Sequence, residues 1–285
     1  MPVRPPPSPF TREQTDKPAH EYSRVLSEAV QQAAHEAPRG FPANEESAAV
    51  TAVFEPKNLF LSALPAAERT RLRPHLAFHR LPQGMVLQQL EQHIEHVHFI
   101  ESGMISLVAL MQDGTAIETA TLGREAILGS LSALGNHRAS ARAIVQIDAT
   151  AWRMTAVDFR TALDQSPALR KMALASSELM LAQMQQTAAC NALHTADRRL
   201  CRWIVQVRDR IDEDVIRLTH DFLAQMLAVR RPTVSLIAYG LQQAGVIRYQ
   251  RGKITILDRA GLERGACECG GALREKTKRI IAEIA

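Results

Sequence analysis

Residues 225–249 carry two helical patterns interrupted by a proline, and this interruption constrains the fold more than any other feature: QMLAVRRPTVSLIAYGLQQAGVIRY. The first pattern begins after Thr219, a residue type that caps helix N-termini well. The second begins near Arg231, and Pro232 fits there because its missing N–H costs nothing in a first helical turn. Two helices joined by so tight a turn form a helix-turn-helix, and the second helix, residues 231–242, then fits a DNA major groove.

The start of the second helix and the segment after it carry the chemistry that DNA binding requires. Helix N-terminal N–H groups and arginines attract phosphates, hydroxyls donate to them, and arginine can contact guanine O6 and N7 together. The strand patterns VIRYQ and KITIL meet at Arg251-Gly252, which predicts a β-hairpin wing with basic side chains. The predicted DNA-binding residues are Thr219, Arg230, Arg231, Thr233, Ser235, Arg251 and Lys253.

Charge supports a polyanionic partner for this part of the chain. Residues 198–264 hold 13 Arg/Lys against 7 Asp/Glu, although the whole chain has a net charge of only +4. Such an excess is expected where a protein meets nucleic acid, but a solvated basic face has the same composition. Arg231 has two interpretations as well: it contacts a base, or it braces the turn against Asp221.

The segment ahead of the helices predicts an antiparallel β-domain over residues 54–164. It contains short runs rich in β-branched residues, GMVLQQL, HVHFIESGMISLVALM, AIETATL and RAIVQID, separated by turn residues. Asp113-Gly114 between two of these runs is a strong hairpin signal, because a type I′ turn needs positive φ at both central residues.

A long helix is predicted within residues 165–194, since no glycine or proline follows Pro167 in PALRKMALASSELMLAQMQQTAACNAL. A 3–4 spacing predicts a seam that pairs with a second copy of the chain, and its members are Leu169, Met172, Ser176, Leu179, Gln183 and Gln186. The alternative is a helix packed on its own β-domain. Residues 1–50, rich in Pro, Ala, Glu and Gln, are predicted to be disordered, and residues 266–285 to form a C-terminal tail.

Several function classes find no support in the composition. No run of about 20 apolar residues is present, and the N-terminus has no apolar core of a secretory signal. Four cysteines in 285 residues are too few for a disulfide framework and fit a reducing compartment. No nucleophile elbow, P-loop or H-E-x-x-H occurs. We therefore expect a cytoplasmic protein that has no membrane partner and is not an enzyme.

Residues 54–265 resemble the Crp/Fnr family of bacterial transcription regulators. The resemblance rests on NLFLSAL, LPQGMVL, EHVHFIESGMISLVAL, DRRLCRWI, LTHDFLAQMLAVRRPTVSLI and LQQAGVIRYQRGKITILD. It implies an α+β fold with an antiparallel β-roll (a cyclic-nucleotide-binding-like jelly roll), a long dimerisation helix and a C-terminal winged helix-turn-helix at residues 195–265. It also implies a homodimer that binds double-stranded DNA at a pseudo-palindromic operator, with RNA polymerase as a further partner and an unidentified small-molecule effector.

Two departures from the family limit what the resemblance transfers. Cyclic-AMP-binding members carry an Arg-Glu pair and a second Arg on the recognition helix; here Pro232 stands at the Glu position and Leu236 at the second Arg position. Their sensor carries Gly-Glu followed by Arg-Ser, where the Glu accepts from the ribose hydroxyl and the Arg neutralises the phosphate. Here Ser130 replaces that Glu, and Ser140-Ala141 replace Arg-Ser. Arg138 or Arg142 would reach a phosphate only if the alignment shifted by two residues.

These departures predict a regulator that does not depend on cyclic AMP and whose sensor domain either binds an unidentified ligand or acts structurally. The alternative function is a cyclic-nucleotide-binding signalling module whose winged helix contacts a protein partner.

Cysteines and histidines predict neither a cofactor nor a metal. The iron–sulfur members of the family use N-terminal cysteines, whereas no cysteine precedes Cys190 here. Cys267 and Cys269 form a C-x-C too short for a zinc site alone, and Cys190 and Cys201 belong to other segments. A solvated loop is therefore expected around the C-x-C, with a redox-sensitive thiol pair as the alternative. The group His93, His96 and His98 is expected to form a surface face.

Overall fold

The computed structural model describes residues 54–111 and 116–284, without the side chain of Asp221. Three predictions lie outside the described part: disorder in residues 1–50, the turn at Asp113-Gly114, and a role for Asp221 in bracing the turn.

An antiparallel β-roll forms the first half, in agreement with the predicted fold class. Its elements are α1 (Leu59–Ala63), α2 (Ala66–Leu72), a 3-10 turn (Arg73–His75), β1 (Ala77–Leu81), β2 (Val86–Gln88), β3 (His96–Leu110), β4 (Ala116–Leu122), β5 (Ile127–Leu128), α3 (Ser130–Leu134) and β6 (Arg142–Thr155). The sheet has the order β1-β6-β3-β4, while β2 pairs with β6 and β5 with β3. The sequence patterns located β2, β3, β4 and the start of β6, but they missed β1 and β5.

Strands β3 and β6 form the longest pair, from His96 opposite Thr155 to Val108 opposite Arg142. The register shifts near Gly103, whose φ is +79°. A Cβ atom there would lie 2.2 Å from the carbonyl oxygen of Asp148, so only glycine lets the two backbones approach so closely.

The second half is mostly helical. Its elements are α4 (Ala156–Gln165), α5 (Pro167–Leu193), α6 (Ala196–Ile211), β7 (Val215–Arg217), α7 (His220–Met226), α8 (Arg231–Gln243), β8 (Ile247–Gln250), β9 (Lys253–Ile256), α9 (Arg259–Gly265) and α10 (Cys269–Ile284). Helix α5 starts where the sequence predicts, because Ser166 accepts a hydrogen bond from the N–H of Leu169 at 2.9 Å and Pro167 fills the first turn. None of the helices in the described ranges is long and apolar enough to span a membrane.

The predicted seam on α5 is wrong. Leu169, Met172 and Leu179 are 0%, 1% and 6% exposed, and they pack in the core of the chain's own β-roll. Polar members of the seam also bond inward: the Ser176 hydroxyl accepts from the N–H of Ile127, and Gln183 donates to Thr121. The alternative, a helix packed on its own domain, holds for this face because burying each large apolar side chain yields about 1.5–3 kcal/mol.

The winged helix packs directly on the β-roll. Met104 of β3 lies in the same apolar cluster as Trp203, Ile204 and Leu223 of the helical domain. The buried Arg210 of α6 donates to the Thr121 hydroxyl at 2.8 Å and the Thr121 carbonyl at 3.0 Å, and it forms an ion pair with Glu125. The two domains are thus joined by both apolar packing and a buried, charge-assisted hydrogen-bond group.

Helix α10 runs antiparallel along α5. Lys171 donates to the carbonyl of Glu283 at 2.8 Å, and Lys276 lies 3.4 Å from the carboxylate of Glu178. Ile280 is buried in the β-roll core. Near the start of α10, Cys267 and Cys269 are 4% and 1% exposed, so the interpretation of a solvated loop is wrong.

Candidate nucleic-acid interface and sensor domain

The turn between α7 and α8 is built by local signals. The Thr219 hydroxyl accepts from the N–H of Phe222 at 3.3 Å and so caps α7. Ala228 adopts a left-handed conformation (φ 49°), which lets the N–H of Val229 bond to the carbonyl of Ala224. Arg230 is the extended N-cap of α8. The chain therefore ends one helix and starts the next within four residues.

Most of the predicted DNA-binding residues are exposed at the start of α8 and on the wing. Six of the seven predicted side chains are exposed: Thr219, Arg230, Arg231, Thr233, Arg251 and Lys253. The wing turns at Arg251 and Gly252, with φ 49° and 72°, which is the geometry of a type I′ hairpin. Strand β9 pairs with both β7 and β8, so it is the central strand of a three-stranded sheet and β8 is an edge strand.

Ser235 is the exception among the predicted residues. It is half-buried, and its hydroxyl lies 2.9 Å from Nδ1 of His220. The imidazole of His220 in turn stacks on Tyr249, with ring centroids 4.1 Å apart. Ser235 thus links α7, α8 and the wing, and its hydroxyl bonds within the domain.

Sequence reasoning missed the apolar part of this surface. Leu236 and Tyr239 are 72% and 59% exposed, whereas Val234 and Ala238 on the opposite side of α8 are buried. The available signal was the helical spacing: Leu236 and Tyr239 fall between the positions that form the inward face. An exposed leucine and tyrosine in the middle of α8 form an apolar patch on the surface of the helix.

The sensor segment that would hold a cyclic nucleotide is closed by its own hydrogen bonds. Ser130 is buried, and its hydroxyl donates to the carbonyl of Ile127 at 2.9 Å. Arg138 is exposed and donates to the carbonyl of Glu91 at 2.7 Å. Ser140 is exposed as well. The family's ribose position is therefore occupied by Ser130, whose hydroxyl is bonded locally, and the phosphate position by Ser140, whose side chain faces solvent.

A buried acid lies between the sheet and the helix-turn-helix. Glu118 on β4 accepts from the hydroxyl of Ser106 and from Nε2 of Gln146 at 3.1 Å. Ser106 also lies 3.7 Å from the sulfur of Met226 at the end of α7. Burial raises the pKa of Glu118 to about 7, and the hydrogen bond from Ser106 and the charges of Arg202 and Arg210 offset only part of this rise.

The histidines of β3 do not form the surface face that was expected. His98 is 6% exposed, and burial, followed by the charge of Arg153, lowers its pKa to about 3. His98 is therefore a neutral side chain of the interior at pH 7. His96 is half-buried and His93 exposed, so the surface interpretation is wrong for His98.

The thiols converge, contrary to expectation. Cys190 at the end of α5 lies 3.6 Å from Cys267, measured between sulfurs, although 77 residues separate them. Cys269 and His194 join the same group, while Cys201 lies outside it.

Comparisons with known proteins agree with this two-domain arrangement. Residues 78–166 match the family model of the cyclic nucleotide-binding domain, and residues 198–265 match that of the Crp-like helix-turn-helix domain. No curated protein matches the chain in sequence.

Solved structures share the fold. FixK2 from Bradyrhizobium japonicum superposes with a TM-score of 0.57 at 15% identity over 67% of this chain and 98% of that one. The c-di-GMP-responsive global regulator CLP from Xanthomonas campestris gives 0.55 at 14% identity, over 67% and 99%. A Crp/Fnr-family regulator from Thermus thermophilus gives 0.54 at 20%, over 67% and 98%. With a cyclic nucleotide-binding domain, a long helix and a Crp-like helix-turn-helix in this order, the chain belongs to the Crp/Fnr family of transcription regulators.

Proposed function

We propose that the protein is a homodimeric, DNA-binding transcription regulator that binds a pseudo-palindromic operator and does not respond to cyclic AMP. The observation that carries the proposal is the exposure of the basic side chains at the start of α8 and on the wing. The exposed basic side chains are Arg230, Arg231, Arg251 and Lys253, and α8 also exposes the apolar pair Leu236 and Tyr239. Basic groups that surround a protruding helix match the phosphates that flank a major groove.

Within this surface, the side chains divide into two roles. Arg230, Arg251 and Lys253 neutralise phosphates and set the position of the domain without reading sequence. Arg231 contacts guanine at the first turn of α8, where a bidentate contact discriminates by about 1–3 kcal/mol. Leu236 and Tyr239 contact thymine methyl groups deeper in the groove. The expected half-site therefore contains both a guanine and thymines.

Dimerisation uses the face of α5 opposite the one that was predicted. Leu174 and Leu181 are 57% and 56% exposed, and exposed Ala188 follows seven residues later. Ala192 and, at the edge toward α10, Glu178 and Gln185 complete a 3–4 spacing with these residues, which is the repeat of a two-helix seam. A twofold axis along this seam places two recognition helices on half-sites about 34 Å apart.

Independence from cyclic AMP follows from the sensor chemistry. The family's ribose-binding carboxylate is absent, and the hydroxyl of Ser130 in its place already donates to Ile127. The position of the phosphate-binding arginine is taken by Ser140. A nucleotide phosphate placed against Ser140 lacks the cation that cyclic-AMP-binding members supply at that position, so its lost hydration is not compensated there.

The test is DNA binding by fluorescence anisotropy, with an operator first selected from a random library. Arg231→Ala is expected to weaken the selected operator far more than random DNA. Lys253→Ala is expected to weaken both equally and to reduce the salt slope by about one unit. Lys278→Ala, an exposed lysine on α10, is the matched control and should change neither quantity.

The rival function, a signalling module whose winged helix contacts a protein, predicts different results. Selection would then yield no enriched sequence, and affinity for DNA would be the same for the Arg231 and Lys278 variants. If Arg231 only braces the turn, its substitution would lower affinity uniformly across the library.

A further inference from the structure

Four ligand-type side chains converge where α5 ends and α10 begins. Cys190, His194, Cys267 and Cys269 each offer one atom, and these atoms all lie within 4.8 Å of one another. The Cys190 and Cys267 sulfurs are 3.6 Å apart, and the sulfur of Cys269 is 3.5 Å from Nδ1 of His194. A disulfide needs about 2.05 Å between sulfurs, so the thiols here are close but unbonded.

We propose that these four residues bind one zinc ion. Tetrahedral coordination with bond lengths of about 2.3 Å to sulfur and 2.0 Å to nitrogen separates the ligand atoms by about 3.5–3.8 Å. The two short distances already have this value, and the widest pair needs to close by about 1 Å. Three thiolates and one imidazole are a set that zinc prefers, and a closed four-ligand shell is typical of structural zinc.

The surroundings complete the site in the way metal sites require. Nε2 of His194 lies 3.2 Å from a carboxylate oxygen of Glu268, so its N–H donates outward while Nδ1 faces the thiols. Such a carboxylate holds the ring and raises the basicity of the ligating nitrogen. Gln186 donates to the sulfur of Cys269 at 3.0 Å, a hydrogen bond that stabilises a thiolate.

The three cysteines of this site are buried in the interior of the protein. Cys190, Cys267 and Cys269 are 1%, 4% and 1% exposed and form an apolar cluster of their own. Cys201, although also buried, lies outside the four-residue set. Cys201 therefore serves as a control for cysteine substitutions at the proposed site.

The position of the site defines its role. Cys190 and His194 are one helical turn apart at the last turn of α5, directly before α6 enters the DNA-binding domain. Cys267 and Cys269 lie directly after that domain, at the start of α10. A zinc ion here joins both ends of the helix-turn-helix domain and fastens α10 along α5. The ion therefore rigidifies the connection between sensor and DNA-binding domains.

The experiment uses the full chain, purified with a reductant. Elemental analysis is expected to find one zinc per chain in the wild type and in Cys201→Ser, and essentially none in Cys267→Ser. Glu268→Ala is expected to retain zinc with about tenfold weaker affinity. Hydrogen exchange in α10 should accelerate when a chelator removes the metal from the wild type.

A second measurement does not depend on whether a variant folds. Wild-type protein stripped of zinc is titrated with Co²⁺, and thiolate-to-cobalt charge-transfer absorption should appear at one equivalent and disappear on addition of Zn²⁺. Reduced wild-type protein that binds neither ion overturns the proposal. A disulfide between Cys190 and Cys267 that persists in the purified protein, found by mass spectrometry, overturns it as well. Both readouts are independent of DNA, so they are separable from the proposed function.

Discussion

Replacement of Glu118 by glutamine is expected to remove a pH dependence of stability. The pKa of Glu118 is about 7 in the folded chain and 4.5 ordinarily. Below pH 4.5 the carboxyl is protonated in both the folded and the unfolded chain. As pH rises toward 7, the unfolded chain releases the proton first, so the free energy of unfolding falls. The difference between these two pKa values corresponds to about 3 kcal/mol in the free energy of unfolding, and this contribution is fully lost above pH 7. Glu118→Gln should therefore match the wild type near pH 4.5 and exceed its free energy of unfolding by up to about 3 kcal/mol at pH 8.

The assay is urea unfolding between pH 4.5 and 8, followed by the fluorescence of Trp203, which lines the same small cavity as Glu118. The difference between variant and wild type is the informative quantity, because other groups such as His98 contribute equally to both. Glu213→Gln, at an exposed carboxylate, is the control and should run parallel to the wild type at every pH. A Glu118→Gln difference that stays constant with pH would refute the reasoning.

Four further predictions are simpler. Leu174→Glu or Leu181→Glu should give monomers in sedimentation with much weaker operator binding, while Leu193→Glu, an exposed leucine off the seam, should stay dimeric. Cyclic AMP should give no heat in calorimetry and no change in operator affinity; a micromolar dissociation constant coupled to tighter DNA binding would contradict this. Wild-type protein should bind operator DNA more weakly when deoxyuridine replaces thymine. The double variant Leu236→Ala with Tyr239→Ala should bind the two DNAs equally. Ala228→Gly should raise the free energy of unfolding by about 1 kcal/mol, because glycine accepts the left-handed conformation without strain; a lower denaturation midpoint would exclude this.

Elements defined by neighbouring residues were predictable from the sequence. Thr219 and Pro232 cap and start the two helices of the helix-turn-helix, Arg251-Gly252 forms the wing turn, and Ser166 with Pro167 starts α5. Each of these signals acts within one helical turn or one hairpin, so the local sequence contains all the groups involved.

Tertiary structure alone decided which side of α5 faces inward. Apolar residues recur at helical spacing on two faces, Leu169, Met172 and Leu179 on one and Leu174 and Leu181 on the other. Periodicity identifies a helix with an apolar face but does not say what covers it. The first face is buried because the β-roll lies against it, and the second face remains exposed.

The same limit applies to chemistry between distant segments. Cys190 and Cys267 meet across 77 residues only because α10 folds back along α5. Glu118 has its raised pKa, and Ser235 its bond to His220, because neighbours from other elements exclude water or supply a partner. Sequence by itself determined the helix-turn-helix, the wing turn, the start of α5, the basic residues and the replacement of the family's nucleotide-binding residues, since these depend on local residue identity. Burial and the convergence of side chains depend on packing between elements, and only the tertiary structure decided them.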